Sequence, residues 1–250
     1  MSEQKQPVSA DREKNFRYRA SFQKTGETRS LTHLELAKTL RHGFREAGIP
    51  LSNGVGSHPQ PQISFGPALP LHVESGEEFL DFYTYLYVSP ERFVSSINKF
   101  LPEELAFLEA VQISKTALSL SCLINGADYS VDFTGQSIGR DAQASAIERF
   151  HNEPEILFTK HKNEKVVNIK EYVRSLRFDP CQNRLWIEMK IVEGATVGIQ
   201  QVVRSLHPVE TELPVRRERM YAWQDGRKRS PLTLEWEELQ IRKHLMDLTM

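Results

Sequence analysis

Residues 16–22 alternate large apolar and polar side chains, the period of two expected of a half-buried strand. Thr32 and Glu35 then stand at capping-box spacing, and Leu34, Ala37, Leu40, Phe44 and Ala47 recur at helical intervals until Gly48 and Pro50 end the run. Residues 63–65 and 82–88 read as strands on either side of a loop at 71–78. Ser89-Pro90 supplies the cap and first position of a second helix, with Phe93, Ile97, Phe100 and Leu101 on one face and Pro102 as its stop. Residues 103–110 read as a short further helix. Residues 117–124 alternate as a closing strand that carries Cys122 in its apolar set.

Asn125-Gly126 is a tight-turn signal, and a second series follows it. Tyr129, Val131 and Phe133 start a strand, residues 141–151 a helix, and residues 156–160 a strand. Residues 166–176 fit either a strand or a short helix. Leu185, Ile187, Met189 and Ile191 alternate as a strand, Val197, Val202, Val203 and Leu206 form a helical face, and residues 213–223 close the series as a strand. The order βαββαβ thus occurs twice, without a residue-level repeat. The expected class is α+β: a disordered leader at 1–15, one ferredoxin-like unit at 16–125, a second at 126–230, and a C-terminal helix at 231–250.

Between the first helix and the strand at 63–65 lies a segment unlike the rest. Residues 54–70 hold three Gly, four Pro and His58. Gly permits positive φ and close backbone approach, and Pro fixes φ and removes a donor, so this is a shaped loop of the kind that carries function.

Composition narrows the classes. With 32 Lys and Arg against 33 Asp and Glu the net charge is −1, so any polyanion surface is a local patch. The two cysteines, Cys122 and Cys181, lie far apart and fit a reducing, cytoplasmic setting. The N-terminus lacks an apolar signal core, and no apolar run nears the roughly 20 residues that span a bilayer. Neither a membrane nor DNA is expected as a partner, and no metal or other cofactor is expected.

Three segments carry a family resemblance. The first is Tyr18-Arg19-Ala20-Ser21-Phe22-Gln23-Lys24-Thr25-Gly26 with Arg29 and Thr32-His33-Leu34-Glu35-Leu36. The second is Arg45-Glu46-Ala47-Gly48-Ile49-Pro50-Leu51. The third runs from Gly56 through His58-Pro59 and Phe65-Gly66-Pro67 to Leu71, then Val73-Glu74-Ser75 and Asp81. Together they resemble the radical-SAM-linked proteins, uncharacterised bacterial domains found alone or fused behind a radical SAM enzyme with a cobalamin-binding-type region. Residues 167–173 and Arg216-Arg217 add weaker matches. The chain departs from the pattern at Ser57, Gln60 and Gln62, where the family has an aromatic residue, a second His and a Lys, and at His72, where it has a Gly.

The resemblance implies a radical SAM enzyme as partner. The chain cannot itself be that enzyme, because its cluster needs three cysteinates and only two cysteines are present. Lys24, Arg29, His33, Gly56, His58 and Ser64 are expected to converge on an anion site built on a helix N-terminus, with His33 and His58 as acid–base candidates. Arg216, Arg217 and Arg219, with Arg227 to Arg229 and with Arg17 and Arg19, are interleaved with Tyr18, Tyr221 and Trp223, a pairing of charge and aromatics that suits RNA. Alternation places Arg217 and Arg219 on one strand face and Arg216 on the other. Glu74, Glu77, Glu78 and Asp81 read by default as a solvated acidic turn, the alternatives being a cation site or pairing with Lys24 and Arg29. The first functional expectation is a non-catalytic accessory module that holds a tRNA-like RNA for a radical SAM enzyme. The alternatives are a metal-independent ribonuclease using His33 or His58, and a protein–protein adaptor using the C-terminal helix.

Overall fold

A computed structural model of the chain describes residues 16–53, 61–135, 140–159, 166–192, 197–207 and 213–233. Strand β1 (Phe16–Lys24) leads into helix α1 (His33–Glu46). Thr32 Oγ1 accepts from Glu35 N and Glu35 Oε2 accepts from Thr32 N, so the capping box forms as its spacing predicts. Strands β2 (Ile63–Phe65) and β3 (Glu74–Thr84), helix α2 (Pro90–Ile97), and strand β4 (Phe107–Ile113) follow. A short helix α3 (Leu120–Leu123) leads to β5 (Gly126–Asp132), α4 (Arg140–Asn152) and the small hairpin β6 (Leu157–Thr159) with β7 (Val166–Asn168). Strands β8 (Val173–Asp179) and β9 (Arg184–Lys190), helix α5 (Ile199–Leu206), and strands β10 (Val215–Gln224) and β11 (Arg227–Arg229) complete the described chain.

The expected mixture of helix and strand is present, organised around one large, mostly antiparallel sheet. Its order is β4-β1-β3-β10-β5-β9-β8, with β2 on β3 and β11 on β10. The two halves meet at β3 and β10, the one parallel pairing among the described residues, where Glu74 aligns with Arg216 and Ser75 with Arg217. The first half buries Tyr18, Phe22, Leu40, Phe44, Phe82, Phe93 and Phe107. The rings of Phe44, Phe82, Phe93 and Phe107 lie 4.7 to 5.0 Å from one another along the chain of contacts. The second half buries Tyr129, Val131, Leu185, Ile187, Val202, Val203 and Leu206.

Several expected elements fall elsewhere. The closing strand of the first half is β4, not 117–124; the stretch expected to be a helix at 103–110 is a single 3₁₀ turn at Glu103–Leu105 that runs into that strand. Asn98 explains the switch, since its side chain both donates to Phe107 O and accepts from Phe107 N at 2.8 Å and starts the strand. Residues 117–124 instead cross the sheet and end in α3, which leaves Cys122 exposed rather than in the core. The loop expected at 71–78 gives way at Glu74 to β3, so Glu74, Glu77, Glu78 and Asp81 lie on a strand and not in a solvated turn. Asn125-Gly126 makes no hairpin. Gly126 opens β5 because a Cβ there would meet the Tyr221 ring at 2.3 Å, so its role is close packing. Residues 166–176, ambiguous by pattern, are both strand and 3₁₀ turn. The leader at 1–15 and most of the expected C-terminal helix, from 234 on, lie outside the described residues.

Candidate functional site

The two ends of the Gly/Pro loop are held by the sheet. Leu51 bridges Thr84, Ser52 N donates to Tyr83 O, and Tyr85 N donates to Pro50 O, which ties residues 50–52 to the end of β3. Asn53 bridges Pro61, and Gln62 N donates to Ser52 O, so the loop's entry and exit run side by side. Gly56 and His58 lie outside the described residues.

Beside this frame α1 presents Lys38, Arg41, His42 and Arg45. Their spacing of three, four and seven puts them in one row on a helix whose other side buries Leu36, Leu40 and Phe44. The row forms one wall of a cleft of about 710 Å³; Gly48, Ile49, Pro50, Leu51, Asn53, Pro61 and Tyr85 form the rest. Arg45 Nη2 lies 2.8 Å from His42 Nδ1, and since a guanidinium only donates, that ring nitrogen accepts. Glu46 is the acid beside the row, 3.1 Å from Arg45 Nε. Arg41 Nε is buried with no hydrogen-bond partner among the described residues. The cleft is therefore basic on one wall and apolar to aromatic on the other.

The residues expected to converge on an anion site are dispersed. Lys24 is buried, and its Nζ donates to Leu31 O at 2.9 Å and Arg29 O at 3.2 Å, pinning the turn before α1. Burial holds its pKa below the usual lysine value, with Glu78 acting in the opposite sense. Arg29 is half exposed, 3.7 Å from Glu74. His33 is exposed, with its ring edge-on to Phe65 at 4.9 Å. Ser64 is exposed on β2 opposite Asp81. At His72 φ is +63°, in the left-handed region that favours glycine.

The expected basic sheet surface is likewise divided between core and surface. Arg17 and Arg19 are buried, so β1 is covered on both faces and not half-buried as its alternation suggests. Asp81 accepts from both: Oδ2 from Arg17 Nη2 at 2.7 Å and Oδ1 from Arg19 Nε at 2.8 Å. Other guanidinium donors reach Asp81 Oδ2 and the carbonyls of Ala117, Leu118 and Pro231, while Arg17 Nε has no partner among the described residues; these bonds let two arginines share one carboxylate in the interior. Tyr18 is on the other face, its hydroxyl accepting from Val88 N.

On β10 the ladder shifts between Arg217 and Arg219, so Arg217 pairs with Tyr129 but Arg219 with Asp128. This bulge reverses the expected facing: Arg217 turns into the core, and Arg219 joins Arg216 on the opposite side. There Arg219 Nε and Lys228 Nζ each donate to Asp128 at 2.7 Å, and Lys228 reaches Glu188 at 3.0 Å. They line a second cleft of about 750 Å³ with Ser175, Arg177, Trp186 and Glu218. Arg174 lies over the Trp223 ring and Lys228 over the Tyr221 ring, at 4.6 and 4.7 Å. Burial, with Asp128 and Glu188 nearby, pushes the Tyr221 phenol above its usual pKa. Cations and carboxylates are matched here, whereas the α1 cleft has a cationic excess.

Residues 17–204 match the family described as an uncharacterized protein conserved in bacteria, DUF2344. The chain belongs to this family. No curated protein matches it. The matched span of DUF2344 includes α1, its basic row, the frame of the Gly/Pro loop and the ion pairs around Asp81; it stops before β10. No helix among the described residues is long and apolar enough to cross a membrane. Among the same residues no group of three His, Cys, Asp or Glu is placed to hold a metal ion. The row Lys38, Arg41, His42, Arg45 was not among the expected site residues. Its signal in the sequence is helical periodicity of charge on the face of α1 opposite Leu36, Leu40 and Phe44.

Proposed function

We propose that this protein is a non-catalytic accessory module that holds an RNA, tRNA-like in kind, for a radical SAM enzyme. The observation that supports it is the basic row of α1 set against the aromatic and apolar frame of the Gly/Pro loop. Cations in a row meet a phosphate backbone, and an aromatic wall beside them accepts bases of any sequence. The association with a radical SAM enzyme rests on the resemblance of residues 16–88. On this reading the two halves are tandem ferredoxin-like units. The strand orders β4-β1-β3-β2 and β10-β5-β9-β8 support that description.

The test is binding of purified protein to bulk bacterial tRNA at two salt concentrations, with the RNA then run on a denaturing gel. The wild type is expected to bind in a steeply salt-dependent way and leave the RNA intact. The K38A/R41A/R45A variant is expected to lower the slope of log K against log salt by about two. Absence of binding at low salt overturns the RNA reading. Cleaved RNA overturns the non-catalytic one in favour of a ribonuclease.

A further inference from the structure

We infer that the α1 cleft takes a single unstacked nucleotide, its phosphate on Lys38, Arg41 and Arg45, its base on Tyr85, and its base edge within reach of Asn53. The inference rests on the RNA reading and narrows it: the ligand is a nucleoside monophosphate unit in a single-stranded stretch, not a duplex backbone.

Four observations carry it. The cleft is concave and of about 710 Å³, within the range of pockets that enclose a small molecule, and larger than one phosphate needs. Its two walls differ in chemistry as the two ends of a nucleotide do. Lys38, Arg41 and Arg45 come from the helix, while Tyr85, Ile49, Pro50, Leu51 and Pro61 come from the strand end and loop frame. The frame is tied together by its backbone, Ser52 N donating to Tyr83 O, Tyr85 N to Pro50 O and Gln62 N to Ser52 O, with Asn53 bridged to Pro61. Finally, Arg41 lines the cleft between Lys38 and Arg45, and a guanidinium is a fork of donors suited to phosphate oxygens. An A-form duplex presents phosphates and sugars but keeps its bases stacked, so it can meet the basic row without entering the cleft.

The experiment compares a single-stranded RNA 12-mer, the same sequence as a duplex, the free 5′-mononucleotides, and inorganic phosphate. Wild type is expected to bind the single strand about tenfold or more tightly than the duplex. Tyr85→Leu keeps the apolar bulk but removes the ring face, and is expected to lose about tenfold on the single strand with an unchanged salt slope. Tyr85→Phe is expected to bind as wild type does, and thermal unfolding of each variant checks that the fold survives. Equal binding of duplex and single strand, with Tyr85→Leu indistinguishable from wild type, overturns the pocket but leaves the RNA reading standing. Mononucleotides that bind and lose affinity in Tyr85→Leu, with no RNA binding at low salt, sustain the pocket for a free nucleotide and overturn the RNA reading. Binding of inorganic phosphate as tightly as any nucleotide overturns the base contact.

Discussion

Arg217 of β10 closes a two-point ion pair on Glu78 of β3, Nε donating to Oε1 at 2.8 Å and Nη2 to the other oxygen. The pair joins the two halves of the sheet, and Arg217 also donates to Pro67 O at 3.0 Å, at the exit of the Gly/Pro loop. Both side chains are buried. Burial alone lowers the tendency of a guanidinium to hold its proton, but Glu78 and Tyr129 outweigh it, and Arg217 stays charged.

Removing one member of this pair leaves the other as an isolated buried charge. Arg217→Met is expected to destabilise the protein by about 3–5 kcal/mol, and Arg217→Lys by less, since one donor survives. The double variant R217M/E78L is expected to recover much of the loss. Urea unfolding of the three proteins measures it; an Arg217→Met value within 1 kcal/mol of wild type would count against the pair as a joint.

Glu77 gives the protein a pH dependence. Partial burial, with Glu109 and Glu78 nearby, raises its pKa to about 7 against the opposing pull of Arg219. A carboxyl held above its unfolded value binds its proton more tightly in the folded state. Its contribution is therefore fully present below about pH 4.5 and is lost as pH rises through about 7. Glu77→Gln is expected to be more stable than wild type at pH 8, by something on the order of 1 kcal/mol given its partial exposure, and equal to it at pH 4.5. Paired melting curves at the two pH values decide the matter. A difference of the same size at both would mean that the charge of Glu77 is not its cause.

His72 stands at φ +63° in the turn before β3, its N donating to Arg29 O at 3.2 Å. A side chain in this region costs about 1–2 kcal/mol, which glycine avoids. His72→Gly is accordingly expected to raise stability by about 0.5–1 kcal/mol, and His72→Val to lower it. The resembled family carries glycine at this position. Thermal unfolding of both variants checks the sign, and a loss on His72→Gly would show that the imidazole has a compensating contact.

Helices α1, α2, α4 and α5 and several strands were legible because their cause is local. The Thr32–Glu35 box, the Ser89-Pro90 start, and the alternation of Leu185, Ile187 and Met189 each act within a few residues, and each element stands where its pattern places it. The exchange of strand and helix between 103–113 and 117–124 was not legible, because Asn98 starts β4 through a contact with Phe107 nine residues away. The cationic residues were misplaced for a related reason. An arginine read in sequence is a surface charge, and only its partner decides otherwise; Asp81 lies 62 and 64 residues from Arg19 and Arg17, and Glu78 lies 139 from Arg217.

By itself, then, the sequence determined the mixture of helix and strand, the capped helix that bears the basic row, and the position of the Gly/Pro segment. These follow from periodicity and backbone stereochemistry, which act over one or two turns. Tertiary structure alone decided that the two halves share one sheet, that three of the arginines expected at the surface are core ion pairs, and that Lys38, Arg41 and Arg45 face Tyr85 and Asn53 across a cleft. Those outcomes depend on strand pairing, on a bulge between Arg217 and Arg219, and on which carboxylate each cation meets. Each is set by contacts between residues far apart in the chain.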